Sequence, residues 1–511
     1  MLKDKNNQLS IYSILYNKIP ENHILKKIAS VLDFSFINSM LESTYCIHYG
    51  RPAKEPEMMV KLLILQYLYN LSDERVIEEG NLNIAFLWFL GLNPEEKLPE
   101  ASLLTKFRKH RLQGIAVDEI ITEVVRQCVE NGIIKGGSIS IDATHTETNT
   151  KKKIPERIMK HLARKILKNY EKESESIPED INTNIPDFNA IEDHNEAKTV
   201  MKDYVESLID QVTNNYNEQE MPKTKAAIEK TKAVLRSPQF IEQKGIRSIV
   251  DEDARVGHKS KTESFFGYKT EFTMLTDEKI ITAVNVYNGA YVDGTDTKSL
   301  IEHTLNANID IKEFYGDKAY FRKHILDEIK EINATAYIPV SETVYRIDES
   351  KYTYNKDSDE WYCDGGNKTV DKKKKKRIKS GQEYEYYRYY FQKDCCKNCP
   401  KREDCIGKKA RKILDISLNT PEFYQLSQWQ KTDQFKEKYK QRAYHEAKNG
   451  EMKQHHGLTR SRGYGLRSMQ IQSKLTALAV NLKRIAKLVS SLNYVISHKL
   501  YFFNVSARCW G

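Results

Sequence analysis

The chain has 511 residues, of which 40% are hydrophobic and 30% are charged, so it is long enough for two or three domains and is not a disordered or fibrous chain. Its formal net charge of +10 favours a polyanionic partner, because each Lys or Arg placed on a phosphate releases a condensed counterion. The first ten residues lack the apolar stretch of a signal peptide, and the longest apolar run, 62–69, is too short to span a bilayer. We therefore expect a cytoplasmic protein without a membrane partner.

Residues 1–135 are predicted to form an all-α domain. The segment 57–70 follows Pro56 and is dense in good helix formers, and Ser72 is placed as the N-cap of a second helix. Amphipathic patterns over 103–112 and 117–131 indicate two more helices. On a basic chain such a domain commonly binds DNA or a protein partner.

The middle of the chain alternates strands and helices around two insertions. Strands are predicted at 138–142, 265–275, 280–287, 311–315 and 334–340, with helices at 297–306 and 318–332. Residues 150–247 are polar and Lys/Glu-rich, typical of an inserted helical arm without an aromatic core. A strong helix pattern covers 421–449, and an amphipathic helix covers 466–488. This order predicts an α/β fold with a ribonuclease-H-like mixed-sheet catalytic core.

The predicted domain boundaries follow from these changes in character. They are an N-terminal helical domain at 1–135, a first core part at 136–340 that contains the insertion 150–247, a Cys- and Lys-rich inserted subdomain at 341–415, a second core part at 416–490, and a tail at 491–511.

Two aspartates end predicted strands that are neighbours in a ribonuclease-H-like sheet. Asp142 ends the first strand, in SISIDATHTET, and Asp317 ends the fourth, in EFYGDKAY. Phosphodiester chemistry needs an activated nucleophile and charge relief on the leaving oxygen, and two divalent ions can supply both. Magnesium prefers oxygen ligands, so carboxylates that are distant in sequence and close in the fold are what such a site requires. Taken singly, each aspartate is more typical of a turn or N-cap residue than of a metal ligand.

A third acidic residue lies in a more specific pattern. Tyr439, Arg442, Glu446 and Lys453 stand at offsets 0, 3, 7 and 14. At roughly 100° per residue these positions fall within about 60° of one another on a helix. One helix face is thus predicted to present these side chains to one site, unless Asn449-Gly450 ends the helix before Lys453. A solvated charged face is the plainer alternative.

The spacing Tyr439-x2-Arg442-x3-Glu446-x6-Lys453 resembles the Tyr-Arg-Glu-Lys signature of bacterial insertion-sequence transposases of the DDE superfamily. The segments around Asp142 and Asp317 are similar to the other two catalytic blocks of that family. Further similar pieces are GRPAKEPE near the N-terminus, DEDARVG followed by FFGYKTEF, and HHGLTRSRGYG before the last helix.

The resemblance implies that Asp142, Asp317 and Glu446 are catalytic residues that bind Mg²⁺ or Mn²⁺, and that Tyr439, Arg442 and Lys453 bind DNA phosphates near the cut end. It also implies binding and cleavage of terminal inverted repeats, transfer of 3′ ends into double-stranded target DNA, and a homodimer that holds two ends together. Arg suits phosphate through its two-pronged fork, and Lys through its point charge. A ribonuclease-H-like nuclease without strand transfer and a host-adopted DNA-binding protein are the alternatives.

Four cysteines have a spacing that suits tetrahedral zinc. They are Cys363, followed by Cys396, Cys399 and Cys405, with Cys395 as an adjacent spare. Similar transposases carry a comparable pattern between the second Asp and the Glu. Structural zinc is therefore expected, with reduced unliganded thiols as the alternative. The basic run 372–377 is equally consistent with a DNA-backbone contact and with a solvated loop.

Overall fold

The N-terminal region is helical in the computed structural model, which describes residues 10–46, 53–112, 114–174, 176–217, 219–237, 240, 245–260, 262–379 and 381–508. Gly50, Arg51 and Pro52 of the GRPAKEPE segment lie outside the described residues. Within the described part of this region, seven α-helices follow a short 3₁₀ helix: α1 (Ile24–Ala29), α2 (Phe36–Glu42), α3 (Pro56–Leu68), α4 (Asp73–Leu82), α5 (Ile84–Leu90), α6 (Ala101–His110) and α7 (Gly114–Glu130).

These helices share one hydrophobic core with the central sheet. Helix α3 is buried along nearly its whole length. It packs against the C-terminal helix α18 (Leu466–Arg508), which also contacts α7 and a strand of the sheet. The side chains of the helical region and of the sheet therefore belong to one continuous cluster. Helix α18 runs further than the predicted 466–488 and extends to Arg508, within the segment predicted to be a tail.

The central sheet is mixed and, among the residues that the structure describes, has six strands: β1 (Gly137–Glu147), β2 (Arg255–His258), β3 (Ser264–Leu275), β4 (Ile281–Asn288), β5 (Ile311–Tyr315) and β6 (Thr335–Tyr337). Strand β3 pairs antiparallel with β1 on one side, and with β4 and β2 on the other. Strands β1, β5 and β6 run parallel. Helix α11 (Thr297–Asn306) connects β4 to β5, and helix α12 (Lys323–Glu331) connects β5 to β6. The order β4-β3-β1-β5-β6 is that of a ribonuclease-H-like core, as predicted.

Strand β1 is longer than the sequence suggested. Asp142 does not end it, because β3 continues to pair with β1 as far as Glu147↔Gly267. The parallel pairing with β5 does end early, at Ser140↔Tyr315. Asp142 and Asp317 each lie two residues past that last pair, so they reach the same level at the end of β5.

The first insertion is helical, as expected, but it does have aromatic residues in its core. Its helices are α8 (Pro155–Ser174), α9 (His194–Asn214) and α10 (Pro222–Leu235). They enclose a separate hydrophobic cluster that includes Tyr170, Phe188, Tyr204 and Phe240. The expectation of an arm without an aromatic core is therefore wrong.

The second insertion is rich in β-structure. It contains β7 (Tyr352–Asn355), β8 (Glu360–Cys363), β9 (Thr369–Lys379), β10 (Gln382–Phe391) and β11 (Ile413–Ser417), with the short helices α13 (Lys393–Lys397) and α14 (Arg402–Cys405). The basic run 372–377 lies within β9 and is not a loop. Helix α15 (Thr420–Gln430) joins this insertion to the sheet region, since Tyr424 contacts Trp361 and Phe423 contacts Phe321.

The predicted helix over 421–449 is divided. After α15 come α16 (Asp433–Tyr439), a 3₁₀ turn (Lys440–Arg442) and α17 (Ala443–His456). Asn449-Gly450 does not end the helix, which continues past Lys453 to His456. Across the described ranges, no helix is both long and apolar enough to cross a membrane.

Candidate active site

Asp142 and Asp317 lie together at the end of β5. The Asp142 Oδ1 accepts a hydrogen bond from the Ala143 backbone N at 2.9 Å. Asp317 is the N-cap of the 3₁₀ turn Lys318–Tyr320 and accepts from the Ala319 backbone N at 2.8 Å. Each aspartate thus keeps a second carboxylate oxygen, Oδ2, available to a common centre.

Arg442 lies at that centre, between all three predicted carboxylates. Its Nη2 is 3.7 Å from the Asp142 Oδ2 and 3.7 Å from the Asp317 Oδ2, and its Nη1 is 3.8 Å from the Glu446 Oε1. The two aspartate oxygens are therefore separated by at most twice that distance. The carboxylates differ in exposure, with 17% of the Asp142 side chain, 37% of Asp317 and 73% of Glu446 accessible. Glu446 lies at the rim of the cleft and Asp142 at its base.

The other two residues of the predicted helix face lie on either side of this centre. Tyr439 stacks on Phe435, with ring centroids 5.7 Å apart. Burial raises the Tyr439 pKa, and the charges of Asp317 and Asp142 raise it further. Lys453 lies toward the far end of β1, with its Nζ 3.4 Å from the His145 ring. Tyr439 and Arg442 accordingly group with the carboxylates, while Lys453 extends the cleft along β1.

Burial sets the electrostatics of the cleft. It raises the pKa of Asp142 to about 6, against the opposing charge of Arg442 and the hydrogen bond from Ala143. Burial also lowers the pKa of Lys453 to about 8, with the charge of Lys259 acting in the same direction. The carboxylate of Asp142 and the ammonium group of Lys453 are therefore poorly solvated when ionised. A cation beside Asp142 and an anion beside Lys453 would relieve this cost.

Asn449 is a site residue that the sequence interpretation missed. Its Nδ2 donates to the Asp142 Oδ2 at 3.4 Å, and its Oδ1 is buried without a hydrogen-bond partner among the described residues. The signal was present, since Asn449 stands at offset 10 from Tyr439 and so continues the face at offsets 0, 3, 7 and 14.

A second missed element anchors the loop of Asp317. Glu271, on β3, is fully buried and accepts hydrogen bonds from the Tyr320 hydroxyl at 2.8 Å and the Gly294 backbone N at 2.7 Å. Tyr291 donates to its other oxygen at 3.0 Å. Because Tyr320 lies in the 3₁₀ turn that Asp317 caps, Glu271 ties that turn to the sheet.

The donor set of this cleft suits a hard divalent cation. Carboxylate oxygens from β1, from the turn after β5 and from α17, together with the Asn449 Oδ1, are the ligands that Mg²⁺ and Mn²⁺ prefer. The side chains are not drawn into a closed cage, and among the residues whose placement is described no three His, Cys, Asp or Glu side chains are close enough to hold a metal ion. Arg442 fills the space between them instead.

The cysteines of the second insertion are grouped only in part. Cys363 and Cys399 both lie near Gly365, with Sγ atoms 3.7 and 3.2 Å from the position that a Cβ would take there. The buried Cys396 Sγ accepts from Asn367 Nδ2 at 3.0 Å and from the Lys412 backbone N at 3.5 Å. The adjacent Cys395 is exposed and points its thiol to Gln392, 3.4 Å away. Of these two adjacent cysteines, Cys396 is thus buried and accepts hydrogen bonds, and Cys395 is exposed.

Two family models match the chain. A transposase domain matches residues 13–110, which is the N-terminal helical region. A transposase DDE domain matches residues 362–486, which includes Glu446 and Lys453 but not Asp142 or Asp317. No curated protein and no solved structure matches the chain. The two matches, on a sheet with the ribonuclease-H-like strand order, support an insertion-sequence DDE transposase.

Proposed function

We propose that this transposase binds the terminal inverted repeats of its element, cleaves DNA there and transfers the 3′ ends into target DNA, with Asp142, Asp317 and Glu446 as the catalytic metal ligands. The observation that carries the proposal is the gathering of these carboxylates around Arg442, at the level where β5 ends. Mg²⁺ or Mn²⁺ held there would activate the attacking oxygen and relieve charge on the leaving oxygen.

The chain's own side chains then have distinct tasks. Asn449 orients the Asp142 carboxylate through its Nδ2. Glu271 fixes the Asp317 turn through Tyr320. Arg442 offers a guanidinium to a phosphate at the cut end, and the under-solvated Lys453 offers a second positive charge further along β1. Tyr439, stacked on Phe435, presents a ring edge and a hydroxyl at the same end of the cleft.

The test is a cleavage and joining assay with a duplex that carries an element end, a target plasmid and Mg²⁺. The variants Asp142→Asn, Asp317→Asn and Glu446→Gln should each lose cleavage by at least about a hundredfold, because removing one catalytic electrostatic group typically costs that much, and should keep end binding. Glu437→Gln is the matched control, since this exposed glutamate lies one helix earlier and pairs with Lys440. Cleavage by Glu446→Gln at the rate of the control would show the site assignment to be wrong.

The same assay separates the rival functions. Cleavage without joined product would indicate a nuclease. End binding by the wild-type chain, with no cleavage in Mg²⁺ or in Mn²⁺, would indicate a DNA-binding protein that has lost its catalytic activity.

We also propose that the N-terminal helical domain, 1–135, binds the element ends and contributes to a homodimer. The support is the transposase-domain match to 13–110 and the shared core that fixes these helices to the sheet. Crosslinking of the full chain with and without an end duplex tests this proposal: a dimer formed with the duplex is expected, and a monomer under both conditions would contradict it.

Finally, we propose that Cys363, Cys396, Cys399 and Cys405 hold a structural zinc ion. The convergence of Cys363 and Cys399 on Gly365 and the two N–H donors to Cys396 support it, because thiolates in such sites commonly accept backbone and side-chain N–H groups. Elemental analysis of the purified chain should find one zinc per chain, lost in Cys363→Ser and kept in the control Cys395→Ser. Zinc absent from the wild-type chain would indicate free thiols.

A further inference from the structure

The hairpin of β9 and β10 divides its charged side chains between two faces. In an antiparallel pair, residues directly opposite each other lie on the same face of the ribbon. The register places Lys372, Lys374 and Lys376 on one face, opposite Tyr389, Tyr387 and Glu385, and places Lys373, Lys375 and Arg377 on the other, opposite Arg388, Tyr386 and Tyr384. We call these the even face and the odd face, after the residue numbers of β9.

The even face is neutralised. Lys372 pairs with Asp359, Lys374 with Glu385 and Lys376 with Glu383, each with an N···O distance of 2.7 Å. This face also supplies the packing of the hairpin, because Tyr389, Phe391 and Ile416 belong to the main hydrophobic core.

The odd face is unbalanced. Its cations Lys373, Lys375, Arg377 and Arg388 face two carboxylates, Asp415, which holds Arg388 at 2.7 Å, and Asp371, which approaches Lys373 only at 3.7 Å. Lys375 has no ion pair among the described residues.

Tyrosines alternate with these cations, and one of them, Tyr386, is buried. Tyr386 lies between the guanidinium groups of Arg377 and Arg388, whose carbon atoms are 5.3 and 5.6 Å from its ring centroid. Tyr384, nearer the tip, is 44% exposed. Neither tyrosine belongs to any of the hydrophobic clusters.

From this asymmetry we infer that the odd face of the β9–β10 hairpin is a DNA-backbone contact surface of the transposase, and that the even face is not. A two-stranded ribbon is narrow enough to lie in or along a duplex groove, and an excess of cations beside aromatic rings suits phosphates and sugars. Helix α15 fixes the insertion to the sheet region through Tyr424 and Phe423, so DNA held by the ribbon would be held relative to the catalytic core. The inference rests on the proposed function only in taking DNA as the partner.

The faces provide a matched comparison. Lys373→Gln/Lys375→Gln and Lys374→Gln/Lys376→Gln remove the same number of charges from the same strand by the same substitution. The affinity of each full-length variant for a random-sequence 40-base-pair duplex is measured over a range of salt concentrations, without added divalent cations. Phosphate contacts carry no sequence information, so an arbitrary duplex is a fair probe.

Loss of two phosphate contacts should make the plot of log affinity against log salt shallower by about two units for the odd-face variant. The even-face variant should keep the wild-type slope. Equal slopes for both variants would overturn the inference, because they would show that the run acts only through its overall charge or not at all.

A measurement on the unsubstituted chain guards against a misfolded variant. Acetylation of lysines with and without the duplex, read by mass spectrometry, should show protection of Lys373 and Lys375 and none of Lys374 and Lys376. Equal protection of the two pairs, or no protection, would overturn the inference. Neither measurement involves cleavage, so a failure of the proposed catalytic function would be seen separately, in the joining assay.

Discussion

Substitution of Glu271 by Gln tests whether the anchor of the Asp317 turn is neutral in the folded protein. The Glu271 carboxyl is fully buried, and burial raises its pKa to about 7, outweighing the hydrogen bonds from Gly294, Tyr320 and Tyr291. In the unfolded chain the pKa returns to near 4.5. The folded state therefore binds more protons than the unfolded state between these values, and the stability from this group falls as the pH rises from about 4.5 to about 7.

The size of the effect follows from the pKa difference. Each pKa unit corresponds to about 1.4 kcal/mol, so ionisation of Glu271 in place costs about 3 kcal/mol of unfolding free energy at pH 8. Gln cannot ionise and resembles the protonated acid. The melting temperature of Glu271→Gln relative to wild type should therefore be higher at pH 8 than at pH 5 by roughly 6 °C, taking about 2 °C per kcal/mol for a large domain.

The assay is a thermal melt of both proteins at the two pH values, with Glu313→Gln as control. Burial raises the pKa of Glu313, but hydrogen bonds from Lys438, Ser138 and Tyr315 outweigh it and hold the pKa below its ordinary value. Its stabilisation is thus fully present at pH 5 and at pH 8, and Gln there should cost about the same at both. If Glu271→Gln also cost the same at both pH values, Glu271 would be an anion held by its three donors, and the reasoning would be refuted.

Four further outcomes follow from the contacts described. Gly267→Ala should lower the free energy of unfolding by about 2–3 kcal/mol, because its Cβ would lie 2.1 Å from a backbone oxygen of β1. Gly450→Ala has open space around its Cβ and should raise the free energy of unfolding by about 0.5–1 kcal/mol through helix propensity. Urea titrations measure both free energies. Acylation of Lys453 should reach half its maximal rate near pH 8, since burial lowers its pKa to about 8, and a midpoint near 10 would contradict that environment. Arg442→Gln should bind Mn²⁺ more tightly and DNA ends more weakly, because the guanidinium, 3.7–3.8 Å from all three carboxylates, competes with a cation for them and also pairs with phosphate. Calorimetry measures the Mn²⁺ affinity, and gel shifts measure the affinity for DNA ends. Loss of both Mn²⁺ binding and DNA-end binding would show that Arg442 only holds the carboxylates together.

The sequence predicted five of the six described strands, because each carries an apolar or alternating pattern bounded by turn signals, but it missed the four-residue β2. It placed Asp142 at a strand end incorrectly, since the continuation to Glu147 depends on pairing with β3, over a hundred residues away in the chain. The aromatic core of the helical insertion was missed for a similar reason. Its aromatic residues lie between Tyr170 and Phe240 and meet only when three helices pack together.

The β9–β10 hairpin shows a different limit. A run of six basic residues has poor β-propensity by itself, so a loop was a reasonable alternative. What makes it a strand is the opposite strand, whose glutamates pair with Lys374 and Lys376 and whose Tyr387 ring lies 3.8 Å from the Lys372 Nζ. Neither the pairing nor the division into two faces can be read from the run alone.

The unequal exposure of the three carboxylates also depends on side-chain packing, which cannot be predicted from the spacing of residues along a helix. His445 is fully buried, with its ring 4.3 Å from that of Phe272 and its Nδ1 2.8 Å from the Ser140 hydroxyl. This contact fixes the rotation of α17 over the sheet. The next residue, Glu446, must then point about 100° away, toward the rim. Asn449, one turn further on, returns to face Asp142. Spacing alone could group these residues on one helix, but only the buried histidine decides which of them reaches the base of the cleft and which stays at its edge.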